Sequence, residues 1–288
     1  MKRGIIIFLL TLVLFPLTYA IPTLTFQNDE IFAGETVLGV IENSNGFSKE
    51  ISAEDIKFFE GRKEISMEHD TLFHNGSYYF YVYTARTGNF TMIVSDILYK
   101  EEGILKESTI ETNLSIVDGS FFSEEQNNTI KEVLSIKPGF YFSVDSPSLK
   151  LTNKGSININ VTFGEEEISL NPFQSKDVEF KPIEVFSFAN FSTYKDFAVP
   201  IVYLSAEGNN YVAPDNPLLK PSPGIIFANI ILGDTNEQVI QLFNLGDNNM
   251  TNIQISSSEA FVEFDTFEEL EARGIHNLTL EITPNRDG

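Results

Sequence analysis

Two short stretches of this chain share one pattern. Leu149-Lys150-Leu151-Thr152-Asn153-Lys154-Gly155 and Ile240-Gln241-Leu242-Phe243-Asn244-Leu245-Gly246 both read apolar-x-apolar-x-Asn-x-Gly. Alternating apolar residues put one face of a strand on a core. Asn and Gly accept the left-handed backbone of a tight turn, and the Asn side chain can bond its own backbone. Alternation resumes at Ile157, Ile159 and Val161 after the first copy, and at Ile253 and Ile255 after the second. The pattern predicts strand, turn and strand, used twice, with a longer turn in the second copy. Asn153 and Asn244 lie 91 residues apart, about the length of one β-sandwich.

The rest of the chain follows the same style. Residues 1–20 read as a secretory signal peptide: Lys2 and Arg3, an apolar run from Ile5 to Leu17, then Thr18-Tyr19-Ala20, with cleavage expected after Ala20. Residues 21–118 predict a first β-domain, with strands at 23–26, 34–41, 56–59 and 108–116. Its strongest signal is the aromatic run Gly76 to Thr84, followed by Gly88 and a second run, Asn89 to Val94. The short connection predicts a hairpin. Residues 119–207 predict a second sandwich. Residues 208–288 predict a third behind a linker at 208–224, where four prolines argue for extended chain. Pro223-Gly224-Ile225-Ile226-Phe227 echoes Pro138-Gly139-Phe140-Tyr141-Phe142.

With 288 residues and 42% hydrophobic content, the chain can bury cores in two or three modest domains. The net charge of −22 argues against nucleic acid and anionic lipid, which need Lys and Arg to displace counterions. Cysteine is absent, which removes disulfides, thiolate zinc sites and thiol nucleophiles from consideration.

The Asn-x-Gly strand pattern and the closing run Leu278 to Pro284 resemble the tandem immunoglobulin-like domains of prokaryotic, especially archaeal, surface proteins. In the first domain, Asn75-Gly76-Ser77-Tyr78 and Thr87-Gly88-Asn89-Phe90-Thr91 resemble macroglobulin-like and related immunoglobulin-like modules. The resemblance implies three tandem sandwiches serving as stalk, spacer, adhesion or assembly segments, and it brings no catalytic residues. It also implies one further strand after Pro284. Three explanations fit: a chain cut short, a strand donated by a partner, or a different strand order. The first is favoured because a long unpaired edge invites aggregation.

Asn-x-Ser/Thr sequons mark Asn75, Asn89, Asn113, Asn127, Asn160, Asn190, Asn249 and Asn277 as candidate glycan sites. His69, His74 and His276 lack the spacing zinc requires and read as surface histidines around loops. The acidic groups near Asp29, Glu165 to Glu167, Asp234 and Glu268 to Glu271 contain no calcium loop and read as solvated. No phosphate loop, dinucleotide fingerprint or Gly-x-Ser-x-Gly elbow occurs. Outward members of the run Tyr78, Tyr79, Phe80, Tyr81, Tyr83 could stack on sugars, which makes Tyr79 and Tyr81 a candidate glycan surface.

These readings predict a non-enzymatic extracellular structural or adhesive segment, with no cofactor and no metal. The alternative is a binding module for glycans or a protein partner, centred on the first domain. Expected partners are other surface proteins or glycans, with no nucleic acid and no membrane contact once the signal is removed. The expected location is secreted or cell-surface.

Overall fold

The computed structural model describes residues 21–119, 132–143, 148–180, 186–203, 217–222, 230–257 and 259–284. The signal segment with its cleavage position, Asn127, the Pro223–Phe227 echo and much of the proline-rich stretch lie outside the described residues. The chain is all-β, of immunoglobulin-like sandwich architecture, with a short 3-10 turn at Ala53–Asp55. Among the described residues no helix is long and apolar enough to cross a membrane.

The first unit contains β1 (Thr23–Phe26), β2 (Ile31–Phe32), β3 (Thr36–Glu42), β4 (Ile56–Glu60), β5 (Lys63–Ile65), β6 (His69–His74), β7 (Ser77–Tyr83), β8 (Gly88–Glu101) and β9 (Ile104–Val117). One sheet runs β1-β3-β7-β6 and the other β2-β9-β8-β4-β5. Between them lies a core that includes Ile41, Phe58, Phe80, Val82, Phe90 and Met92. The expected hairpin of β7 and β8 does not form. β7 pairs with β3 and β6, whereas β8 pairs with β4 and β9 in the opposite sheet. The connection Thr84–Thr87 is therefore a crossing between layers. Nothing in two consecutive apolar strands states which sheet each joins.

The second unit contains β10 (Leu134–Lys137), β11 (Tyr141–Ser143), β12 (Ser148–Asn153), β13 (Ile159–Phe163), β14 (Glu166–Leu170), β15 (Ser175–Glu179), β16 (Phe186–Ser192) and β17 (Asp196–Tyr203). Its sheets run β10-β12-β15 and β11-β17-β16-β13-β14. The third contains β18 (Leu219–Ser222), β19 (Asn236–Asn244), β20 (Met250–Thr251), β21 (Val262–Phe264), β22 (Glu269–Leu270) and β23 (Ile275–Ile282). Its sheets run β18-β19-β23-β21 and β20-β22. Two sequence expectations are corrected here. Residues 219–222, assigned to a linker, form edge strand β18, where Pro221 can sit because an edge leaves one side of the backbone unpaired. Ile253 and Ile255 form no strand; they pack half-buried against the third core.

The Asn-x-Gly motif also differs from its expectation. β12 and β13 are not a paired hairpin. They lie in opposite sheets, and Asn153 sits where the chain crosses. Neither Gly155 nor Gly246 is among the positive-φ residues, so the motif does not serve as a left-handed turn. Its Asn is instead a fully buried stitch. Asn153 Nδ2 donates to Ile157 O at 2.7 Å and to Leu170 O, at the end of β14, at 3.0 Å; its Oδ1 accepts from Gly155 N at 2.9 Å. Asn244 repeats the arrangement. Its Nδ2 donates to Asn248 O at 2.8 Å and Glu271 O at 3.0 Å, with Leu270 O at 3.3 Å, and its Oδ1 accepts from Gly246 N at 3.1 Å. One amide thus reaches from its own strand to backbone groups of the crossing and of the facing layer that would otherwise be buried without partners.

Candidate functional site

The outer face of β7 points away from the first unit's own core. Tyr78, Phe80 and Val82 point inward, whereas Tyr79, Tyr81 and Tyr83 belong to a second apolar cluster. That cluster is continuous with the second unit's core and takes in Leu38 and Leu72 from the first unit and Phe243 from the third. Tyr81 is 1% exposed and meets Phe140 edge-on, with ring centroids 5.2 Å apart. Tyr79 packs on Phe186 and Phe188. The proposed sugar-stacking surface at Tyr79 and Tyr81 is therefore corrected: the second unit covers it. Gly139 is required by this contact, since a Cβ there would lie 2.3 Å from Tyr81 Cγ.

Around this apolar centre the junction is fastened by polar groups. Thr36 Oγ1 donates to Ile136 O at 2.9 Å and accepts from Ile136 N at 2.8 Å. The Gln27 amide donates to Ala198 O at 2.9 Å and accepts from Ala198 N at 3.0 Å. Lys137 Nζ reaches Glu68 at 3.0 Å and lies 3.9 Å from the centre of the Tyr83 ring. Lys195 on Glu35 adds a buried ion pair. Both side chains are buried, and Nζ donates to Oε1 at 3.0 Å and Oε2 at 2.9 Å. The same ammonium also donates to Glu30 O and sits 4.2 Å from the centre of the Phe32 ring. Such a seat gives the cation the multiple partners that burial demands. Burial raises the Glu35 carboxyl above its ordinary 4.5, while the Lys195 charge and hydrogen bond pull it down.

The third unit touches the same junction. Phe142 and Phe243 have ring centroids 4.9 Å apart. Lys220 Nζ, on β18, donates to Asp70 Oδ1 at 3.2 Å and to Thr71 O at 2.8 Å, both on β6 of the first unit. All three units therefore meet around β6 and β7.

The histidines are not all surface groups. His69 is 2% exposed, with Nδ1 2.6 Å from Met67 O and Nε2 2.8 Å from Ala53 O. His74 stacks on Phe186 of the second unit, with ring centroids 3.7 Å apart, and its burial lowers its pKa from 6.5. His276 stacks on Phe267. Among the described residues, no group of three His, Cys, Asp or Glu is placed to hold a metal ion. The acidic groups Glu165 to Glu167, Asp234 and Glu268, Glu269 and Glu271 are exposed. Seven sequon residues, Asn75, Asn89, Asn113, Asn160, Asn190, Asn249 and Asn277, are also exposed. Sequence reasoning missed the buried charges Glu35, Asp70 and Lys195. No local signal separates them from surface residues, because their partners lie in other units.

No protein-family profile matches the chain, and no curated protein matches it in sequence. Among solved structures, it is similar to the adhesin InvE of Yersinia pseudotuberculosis at 12% identity, over 68% of this chain and 60% of that one, with a TM-score of 0.24. It is similar to Escherichia coli alpha-2-macroglobulin at 9% identity, over 92% of this chain and 21% of that one, with a TM-score of 0.25. The Escherichia coli adhesin FdeC shows 8% identity, over 91% of this chain and 88% of that one, with a TM-score of 0.20. The chain spans less than two thirds of the length of the first two. Similarity at these scores carries no argument; the architecture rests on the strand pairings above.

Proposed function

We propose that the chain is a non-enzymatic extracellular segment whose work is structural or adhesive: it holds three β-units in a fixed mutual arrangement as part of a surface assembly. The observation that carries this reading is the apolar cluster running unbroken from Leu38 and Tyr81 through Phe140 and Phe142 to Phe243. A flexible string of modules leaves such faces polar. Inter-domain contacts of ordinary chains are modest and permit motion, whereas here aromatic packing and a buried ion pair constrain it. Residues 1–20 act as a cleaved signal in this reading, the units divide near 118 and 207, and the exposed sequon residues carry glycans.

Small-angle scattering of residues 21–288 tests the fixed arrangement. One rigid arrangement should account for the curve, and Tyr81→Ala should increase the radius of gyration without loss of strand content. A wild-type curve that requires an ensemble of unit orientations sinks the proposal. Export is tested separately by sequencing the secreted protein's N-terminus, which should begin at Ile21.

A further inference from the structure

At one end of the first unit the strands leave a polar cavity of about 530 Å³, within the size range of small-ligand sites. Register sets one wall. Thr23 of β1 lies opposite Glu42 of β3, and Glu42 lies opposite Ser77 of β7. Residues directly opposite in an antiparallel pair share a face, so a hydroxyl, a carboxylate and a hydroxyl stand side by side. Two tight turns complete the lining. After β3, Gly46 N donates to Asn43 O at 2.9 Å, and Asn45 N donates to Asn43 Oδ1 at 2.9 Å. Between β6 and β7, Asn75 and Gly76 have φ of 48° and 85°, as a two-residue hairpin turn of type I′ requires. Two observations point to a ligand. Asn43 lines the cavity and is 8% exposed, yet its Nδ2 is buried with no hydrogen-bond partner among the described residues. An orphaned amide donor is costly to keep. Asn75, on the same lining, is an exposed sequon residue.

We infer that this cavity is a saccharide site, and that the sugar it seats is the one carried by Asn75 of the same chain. The lining selects for a polyol. It contains no Lys, Arg or His to hold an anion, and Glu42 is its one carboxylate. Sugar hydroxyls both donate and accept. The cavity meets them with the carboxylate of Glu42, the hydroxyls of Thr23, Ser44 and Ser77, and the spare amide donor of Asn43. Ile21, 57% exposed, offers an apolar surface to the C–H face of a ring. A sugar linked to Asn75 Nδ2 starts at the cavity wall, so it folds back at high effective concentration instead of binding from solution. This deepens the glycan reading above and rests on it for the source of the sugar.

Amide exchange on the full chain purified from its own cells is the test, with peptide mass spectrometry reporting whether Asn75 is modified. With Asn75 glycosylated, exchange across residues 42–46 and 75–77 should be slow, and that protection should be absent in Asn75→Gln. Asn113→Gln, at an exposed sequon outside the cavity, should leave it unchanged. Glu42 is exposed, so Glu42→Ala spares the fold; it should lose most of the protection although the glycan is retained. A glycosylated Asn75 whose residues 42–46 exchange as fast as in Asn75→Gln overturns the inference and leaves the glycan reading standing. If Asn75 is unmodified, the glycan reading fails at that residue, and the chain is titrated with N,N′-diacetylchitobiose and with cellobiose. Binding that protects residues 42–46 and is lost in Glu42→Ala supports the saccharide site, with a separate glycan as its occupant. An unmodified Asn75 with no binding of either disaccharide overturns the inference.

Discussion

The second and third units carry the same motif and the same buried amide, yet among the described residues the core around the first amide is fully buried and that around the second is only partly so. Asn153 and Asn244 make matching bonds to Gly155 and Gly246 and to the matching leucine carbonyls. Fully buried Leu149 and Leu151 flank the first stitch; partly buried Ile240 and 6% exposed Leu242 flank the second. A short motif can thus specify how two layers are joined without specifying that the sandwich is filled. Filling depends on strands contributed far along the chain.

The sharpest way to break the comparison is through the way each unit is fastened to the first. Glu35→Ala leaves Lys195 buried without its carboxylate and should cost about 3–5 kcal/mol. Asp70→Ala instead leaves Lys220, whose ammonium is less buried than that of Lys195, without that carboxylate and should cost less; chemical denaturation of both variants measures the difference. Next come the cores. Leu149→Ala should destabilise by roughly 3 kcal/mol and Ile240→Ala by roughly 1 kcal/mol, because the second site is already partly hydrated. Equal losses would mean that the third unit is as closed as the second. The stitches should respond alike: Asn153→Asp and Asn244→Asp each keep the acceptor for glycine N–H but turn a carboxylate toward backbone carbonyls. A loss of about 2 kcal/mol is expected at each, read from the corresponding melting transition.

The smallest effect is a pH dependence. The folded pKa of His74 lies below its ordinary 6.5, so its contribution is complete above that value and is lost as pH falls through the window beneath it. Glu35 has the opposite sign. Its pKa is raised above 4.5, so its contribution is present at low pH and is lost as pH rises through the folded value. Acid should therefore loosen the first and second units through the His74–Phe186 stack. A melting temperature that falls modestly below pH 6.5, and falls less in His74→Phe, is the expected result.

Much of the architecture was legible because alternation reports burial. The strands around Leu149, Ile240, Ile56 and Tyr78 follow from it. The candidate site was not legible in the same way. Tyr78 to Tyr83 is apolar or aromatic at every position, a sign that both faces are covered; alternation alone suggested one wet face. What covers Tyr81 is Phe140, which is remote in sequence. The layer change between β7 and β8 was hidden because four residues suit a hairpin and a crossing equally. Asn153 looked like a turn former because Asn is common in turns, and only the carbonyl of Leu170 shows that it spans two sheets.

That amide has one more consequence. Many exported sandwiches join their layers with sulfur, and closure then waits on an oxidant and can be reversed by thiols. Here the fastening consists of hydrogen bonds from Asn153 and Asn244, in a chain without cysteine. It closes when the strand docks, has no wrong partner to exchange with and is indifferent to redox potential. The protein should fold to the same state in a reducing cytosol as outside the cell.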